Sequence, residues 1–525
     1  MKTLRSFVAG DWHTAGAGFV PLHDPCSEAV IAQASSAGID FRAALEFART
    51  HGGAALRELT FAQRSELLLA MSKALHSHRD ELIELSLVNT GATRKDAKFD
   101  LDGATGTLSY YAYLGKELGS QRMLARDAGV ALGRTAKFWG QHVATPLSGV
   151  AVHINAFNFP AWGFAEKAAC ALLSGMPVIT KPATSSAMVT ERCIEILVAA
   201  QVLPAGALSL VCGSVGDLLS QLGAQDVLAF TGSAATAVKL RGAANLLAAS
   251  VRVNIEADSL NAAVLGPDVN EGAETYELFV REVVREMTQK SGQKCTAVRR
   301  ILVPRAQLAA VEAAICERLH SSVTGNPQDP SVNLGPLATR EQLSDAVSGV
   351  KKLATSARRV FGTGERVDGI GNPPNKGYFF APTLLRADNA DSAHIVHQHE
   401  VFGPVATLLP YDGGAAEAAR CVALGGGMLV TSVYSDDVEF VGRFLDVAGS
   451  SSGRVYLGSE KMAEQALGSG LAMPQSLHGG PGRAGGGAEL GGVFGLELYM
   501  QRVSLQGSRP MIERLIGDAS AQSKS

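Results

Sequence analysis

The chain has no Cys-x-x-Cys pair, no long run of charge of one sign, and no apolar stretch long enough to span a bilayer. Each absence removes a class of function. The seven cysteines (Cys26, Cys170, Cys193, Cys212, Cys295, Cys316 and Cys421) are scattered without regular spacing. That pattern supports neither a disulfide framework nor a zinc site, and no metal is expected. With 47 basic and 50 acidic residues the net charge is −3, which argues against a nucleic acid or an anionic membrane as the main partner. The opening MKTLRSFVAGDWHTAG lacks the apolar core of a signal peptide. A reducing, cytoplasmic setting with free thiols is expected.

Two catalytic patterns are also missing. No serine, histidine and aspartate set stands out. The segment GSSSG (449–453) matches the hydrolase elbow in letters only, because a helical pattern precedes it and a strand follows, the reverse of what that elbow needs. It reads as a plain turn. The dinucleotide fingerprint G-x-G-x-x-G is absent from the first strand–helix junction.

What is present points to a large α/β protein. A chain of 525 residues is too long for one core, so two or more domains are expected. Its 46% hydrophobic and 18% charged content is that of an ordinary soluble globular protein. From 148 to 265 strand and helix signals alternate: GVAVHIN, PAWGFAEKAACALLSG, PVITKP, SSAMVTERCIEILVAAQ, ALSLVC, GDLLSQLG, DVLAF, SAATAVKLRGAANLLA and VRVNIEA. Such repeats predict a parallel, doubly wound sheet with ligands beyond the carboxyl ends of its strands. Residues 56–120 look helical and should cover that sheet. GRTAKFWGQHVATPLSGVAVH predicts an extended hairpin, and LYMQRVSLQGS a strand suited to pairing with another subunit. A second α/β region starts near 270, with strands RILVP, ATLLPY, GMLVTSVYS and SGRVYLG. The glycine-rich run His478–Gly492 is expected to be a surface loop, and the end GDASAQSKS to fray.

Among the cysteines, Cys170, Cys193, Cys212 and Cys316 sit in helix or strand patterns and read as core. Cys26 and Cys421 carry no chemical context. Cys295, in SGQKCTAVRR, follows a helix end and a Gly-Gln-Lys turn. It is either a buried small hydrophobe or a nucleophile, with Lys294, Arg299 and turn amides able to favour its thiolate. Glu256 ends the strand VRVNIEA, where it is either a general base or a solvated acid. Asn158 follows GVAVHIN and either donates to an oxyanion or marks an Asn-x-Pro turn. Small residues in GSVGD and FTGSAA allow backbone amides to face a phosphate, an ordinary feature of helix starts.

Taken together and in order, FNFP (157–160), TKPA (180–183), FTGS (230–233), Glu256, GQKC (292–295) and EVFGPV (400–405) resemble the signatures of the aldehyde dehydrogenase superfamily. The resemblance runs from about residue 20 to about 510. It implies an α/β aldehyde dehydrogenase fold: a Rossmann-like doubly wound cofactor domain (1–127 and 148–261), a second α/β catalytic domain (262–480), a small β oligomerisation extension (128–147 and 494–510) and a tail (511–525). It further implies that Cys295 is the nucleophile, that Asn158 and the Cys295 backbone N–H hold the oxyanion, and that Glu256 activates the hydrolytic water. Glu400 and Phe402 match positions holding the nicotinamide ribose and ring. Lys181 matches the lysine of the adenine ribose, and Gly232 and Ser233 open the helix beside the pyrophosphate. Ile154, Ala156, Phe157, Thr184 and Phe230 complete the implied cofactor site.

Several departures from the common pattern narrow the expectation. Many NAD-preferring members carry glutamate three residues after the Lys181 position, and here that residue is Thr184. A carboxylate would repel a ribose phosphate and threonine does not, so NADP is expected over NAD. The base motif reads EADSLNA, Phe157 precedes the asparagine, and the late run is HGGPGRAGGG. These variants resemble the branch that oxidises the terminal aldehyde of ring-opened acyl-CoA thioesters in aromatic-acid catabolism, the 3,4-dehydroadipyl-CoA semialdehyde type included. A fused relative in that branch carries a further hydratase domain, and the end at Ser525 favours the stand-alone kind. Arg483 is a candidate for contacting the CoA phosphates. A homodimer, or a dimer of dimers, is expected. Oxidation of simple medium-chain or aromatic aldehydes, CoA-acylating chemistry, and a non-redox thiol esterase are the rival readings. Retention of Glu256 argues against transfer to CoA, which needs no water-activating base.

Overall fold

Short runs of valine, isoleucine, leucine and alanine, closed by glycine, proline or polar residues, form the central strands of the computed structural model, which describes residues 1–135 and 137–516. Ala151–Ile154 (β1), Val178–Lys181 (β2), Leu208–Leu210 (β3), Val227–Thr231 (β4) and Arg252–Glu256 (β5) lie parallel in the order β5–β4–β1–β2–β3. The antiparallel strands Ser6–Val8 and Asp11–His13 extend this sheet beyond β3. Strands β1 to β4 are buried along most of their length, as expected where both faces are covered. From β1 the chain passes to β2 on one side and later returns to β4 on the other. That reversal opens a crevice beyond the carboxyl ends of β1 and β4, where an open α/β sheet binds ligands.

Helices cover the sheet as the apolar periodicity requires. Arg94–Leu118 (α1), Trp162–Ser174 (α2) and Ala187–Ala199 (α3) share one core with the sheet, in which Leu108, Phe164, Val178, Ile194 and Leu208 meet. The opposite face is closed by Leu45, Val150, Ile179, Leu228 and Leu246. The stretch SAATAVKLRGAANLLA divides at Gly242 into Ala234–Arg241 (α4) and Ala244–Ala248, since glycine is a poor helix residue. GDLLSQLG provides only the single tight turn Leu218–Gln221.

The second sheet is built from Ala262–Leu265 (β6), Arg300–Pro304 (β7), Thr383–Arg386 (β8), Val405–Tyr411 (β9), Met428–Tyr434 (β10) and Ser452–Gly458 (β11). Its parallel order is β8–β9–β7–β6–β10–β11, with Arg358–Phe361 antiparallel beyond β8. Helix Glu274–Thr288 (α5) packs Phe279, Val283 and Met287 against this sheet.

Two expectations need correction. Phe138–Pro146 does not form a hairpin with the segment that follows it, because both edges of β1 are taken by β2 and β4. It pairs instead, antiparallel and along its whole length, with Met500–Ser508. Arg509–Ile516 (α6), expected as part of the tail, is helical and packs Ile512 and Ile516 on Val143. The polar end 517–525 lies outside the described residues.

The larger correction concerns His478–Gly492. Leu477–Gly479 (β12) and Ala488–Leu490 (β13) pair antiparallel, and the hairpin is laid along β5, with His478, Ala484, Gly485 and Glu489 buried and its tip residues Gly482 and Gly486 exposed. Gly487 N donates to Ile255 O at 3.1 Å, Ala257 N to Ala484 O at 3.0 Å, and Ala488 N to the Asn254 side-chain oxygen at 3.0 Å. Gly485 has φ +105°, and a Cβ there would stand 2.3 Å from the Ile255 carbonyl oxygen. Glycine is what permits so close an approach.

Candidate active site

Helix α5 ends in a strained turn that sets the position of Cys295. Lys290 and Ser291 both have φ 55°, and Gly292 has φ 66°. A left-handed conformation costs a non-glycine residue about 1–2 kcal/mol, so the surroundings must enforce it. They do so through Lys290 N donating to Asp96 (3.1 Å), Ser291 Oγ to Gly335 O (2.8 Å) and Arg299 Nη2 to Gly292 O (3.0 Å). Any side chain at Gly292 would collide with Gly403, whose oxygen would lie 2.2 Å from the added Cβ. Beyond the turn, Asn261 Nδ2 donates to the Cys295 and Ala297 carbonyls at 2.8 and 2.9 Å.

Cys295 is thereby left half-buried where two cavities meet. One is a cleft of about 570 Å³ at the sheet reversal. The other is a narrow space of about 50 Å³ on the opposite side. Glu256 and Asn158 border both cavities with Cys295. Asn158 Nδ2 donates to Gln293 O at 3.1 Å, which uses one of its two amide hydrogens.

Of the residues expected at a cofactor, Ile154, Ala156, Phe157, Lys181 and Phe230 border the large cleft. Gly232, Ser233, Glu400 and Phe402 do so as well. Thr184 does not; it opens the short turn Thr184–Ser186 beside that wall. Ser233 caps α4, accepting from Thr236 N, while Ala234 N donates to Asp258 at 2.9 Å. Phe157 and Phe402 meet edge to face, 5.8 Å between centroids. Glu400 accepts from Ser259 N at 2.8 Å and pairs with Arg299 at 3.2 Å, and burial raises its pKa. Burial lowers the pKa of Lys181, so its ammonium lacks full solvation and would gain from an anionic ligand. The cleft therefore fits a nicotinamide dinucleotide.

His478, at the mouth of the glycine-rich hairpin, was not among the residues expected here. Its Nε2 lies 3.8 Å from Cys295 Sγ and 3.3 Å from Glu256 Oε2, and the ring is buried. Behind it Glu489, on β13, accepts from Asn254 at 2.9 Å and pairs with Lys167 of α2 at 3.1 Å. Burial would raise the Glu256 pKa, but the imidazole and then Lys167 outweigh it and hold the carboxyl well below its usual range. Burial likewise would lower His478, and Glu256 reverses this, placing the imidazole well above its usual value. Burial and Glu256 push the Cys295 thiol up to about 11, with His478 acting in the opposite direction.

The cations expected to favour the thiolate are engaged elsewhere. Lys294 pairs with Glu286 at 2.5 Å and donates to Gln289. Arg299 serves Glu400 and the carbonyls of Gly403, Gly292 and Lys294. Cys316 is half-buried and packs against the core of the second sheet. Arg483 donates to Gln398 O at 2.9 Å and faces Asp258 on the cleft side, which carries it away from the narrow cavity. That cavity is walled by Phe99, Phe159 and Trp162, whose ring centroids are 5.3–5.9 Å apart.

This arrangement places a thiol, a carboxylate and an amide between a dinucleotide-sized cleft and an aromatic pocket. Comparison with known proteins agrees. The chain is 45% identical over 478 residues to a 3,4-dehydroadipyl-CoA semialdehyde dehydrogenase of Aromatoleum evansii, covering 91% of this chain and 93% of that one. It shares its fold with a 3,6-anhydro-L-galactose dehydrogenase solved in complex with NAP, at TM-score 0.83 and 21% identity over 97% of this chain and 100% of that one. An aldehyde dehydrogenase from Bacillus cereus in its NAD+ complex superimposes equally well, at TM-score 0.83 and 22% identity over 97% of each chain. Since residues 12–504 match the aldehyde dehydrogenase family, and the relative from Aromatoleum matches over nearly its whole length, the chain belongs to that family and is an oxidoreductase acting on aldehydes.

Proposed function

We propose that this chain uses NADP to oxidise an acyl-CoA-linked semialdehyde, of the 3,4-dehydroadipyl-CoA type, to the free acid in aromatic-acid catabolism. The reaction rests on one observation: Cys295 borders both cavities, with Glu256 and Asn158 beside it. The substrate class follows the Aromatoleum relative. The cofactor choice follows the half-buried Lys181 on the cleft wall and the absence of a carboxylate at Thr184.

In this mechanism the Cys295 sulfur bonds to the aldehyde carbon from the aromatic side. The carbonyl oxygen becomes anionic and is met by the Asn158 amide and the Cys295 backbone N–H. NADP, when bound in the large cleft, supplies the hydride acceptor, held by Lys181, the α4 end, Glu400 and Phe402. Loss of hydride leaves a thioester on Cys295. Glu256 then takes a proton from water, the water oxygen bonds to the thioester carbon, and the acid departs as the sulfur recovers its proton. A soft nucleophile for acylation and a separate base for hydrolysis are both required, and both are present.

Strand Met500–Ser508 ends its sheet with a free outer edge among the described residues. This supports a homodimer formed by edge pairing. We place the enzyme in the cytoplasm.

The deciding experiment compares kcat/KM for the CoA-linked semialdehyde with that for free medium-chain and aromatic aldehydes, each with NADP and NAD. A preference of about tenfold or more for the CoA-linked aldehyde and for NADP is expected, or about 1.4 kcal/mol each. Equal rates on free aldehydes, or a preference for NAD, would overturn the reading. Product analysis with added CoA separates hydrolysis from acyl transfer.

A further inference from the structure

We propose that His478 is a catalytic residue whose Nε2–H stabilises the Cys295 thiolate. This deepens the proposed function and rests on its assignment of Cys295 as nucleophile. The geometry singles out one nitrogen. Nε2 faces both Sγ, at 3.8 Å, and Glu256 Oε2, at 3.3 Å, so a single N–H serves two anionic centres in turn. Cys295 needs such a donor. Lys294 and Arg299 are held by Glu286 and Glu400, and the nearest carboxylate, Glu256, opposes ionisation of the thiol.

The groups facing His478 come from several elements. They are Glu256 on β5, Cys295 after α5 and Glu489 on β13, with Lys167 of α2 behind Glu256 and Glu489. Before acylation Glu256 is ionised and the Nε2–H points to it. As the S–H bond breaks, its proton passes to Glu256 Oε1, an oxygen with no hydrogen-bond partner among the described residues. The Nε2–H then turns to the sulfur, and no proton is lost or gained in this transfer. When sulfur bonds to the aldehyde carbon its charge leaves it, and the proton on Glu256 passes out through the cleft. The freed carboxylate is then ready for water.

The test is alkylation of Cys295 by iodoacetamide as a function of pH, with neither aldehyde nor nicotinamide present. In His478→Asn the rise in rate should move to higher pH, leaving the rate at pH 7 about tenfold lower for each unit the thiol pKa rises. Added imidazole should restore alkylation in His478→Gly, a rescue that a merely structural role would not give. NADP affinity, set in the cleft, is measured alongside to show that both variants are folded. An unchanged pH profile in a variant that binds NADP normally would overturn the proposal, as would the absence of imidazole rescue. Because no substrate is used, His478-dependent alkylation without turnover of the CoA-linked aldehyde would sink the substrate assignment and leave this inference standing.

Discussion

Two side chains from distant parts of the chain, Glu256 and His478, converge on the Cys295 sulfur, and their charges determine each other. Glu256 is held low chiefly by His478, and His478 is held high chiefly by Glu256. A depressed carboxyl stabilises the fold above its ordinary value of 4.5, and that contribution fades as pH falls. A raised imidazole stabilises it below its ordinary value of 6.5 and fades as pH climbs through the raised value. The melting-temperature gap between wild type and Glu256→Gln should therefore be widest between those limits and narrow toward acid. A gap that stays constant with pH would contradict the pair. At the other wall of the cleft, Lys181→Met should raise the KM for NADP by about tenfold or more while changing that for NAD little; equal changes would remove the lysine from the phosphate site. Cys295, Glu256 and Asn158 could be picked out from the sequence because each sits in a short local pattern. His478 could not. Its letter context, a histidine before glycines, carries no chemistry until β5 and the hairpin are side by side.

The strained turn before Cys295 and the hairpin of β12 and β13 do related work, each bringing backbone closer to the site than a side chain would allow. Gly485→Val should push the hairpin off β5 and displace His478. Activity is expected to fall on the order of a hundredfold, with NADP affinity nearly unchanged, because the cleft is lined from other elements. Unaltered activity would show that the hairpin's seat on β5 is unimportant. The alternating strands and helices of 148–265 were readable because their period and length are local properties. Glycine-rich His478–Gly492 reads as loop because its hydrogen bonds run to a strand more than two hundred positions earlier, as with Gly487 N to Ile255 O. The partner of Phe138–Pro146 was hidden for the same reason: pairing between 138–146 and 500–508 leaves no mark on either segment alone.

For the whole molecule, the outer edge of Met500–Ser508, unpaired among the described residues, sets the expected assembly. Sedimentation should give twice the chain mass of 54.7 kDa, and Val503→Lys, which places a charge on that edge, should move the protein toward the single-chain mass. Retention of the dimer would place the interface elsewhere. Among the described residues no helix is long and apolar enough to cross a membrane. The seating of β12 and β13 against β5 also bears on synthesis. The ribosome makes Cys295 and Glu256 long before His478, so the Glu256–His478 pair is completed only once the glycine-rich hairpin has been synthesised and seated on β5.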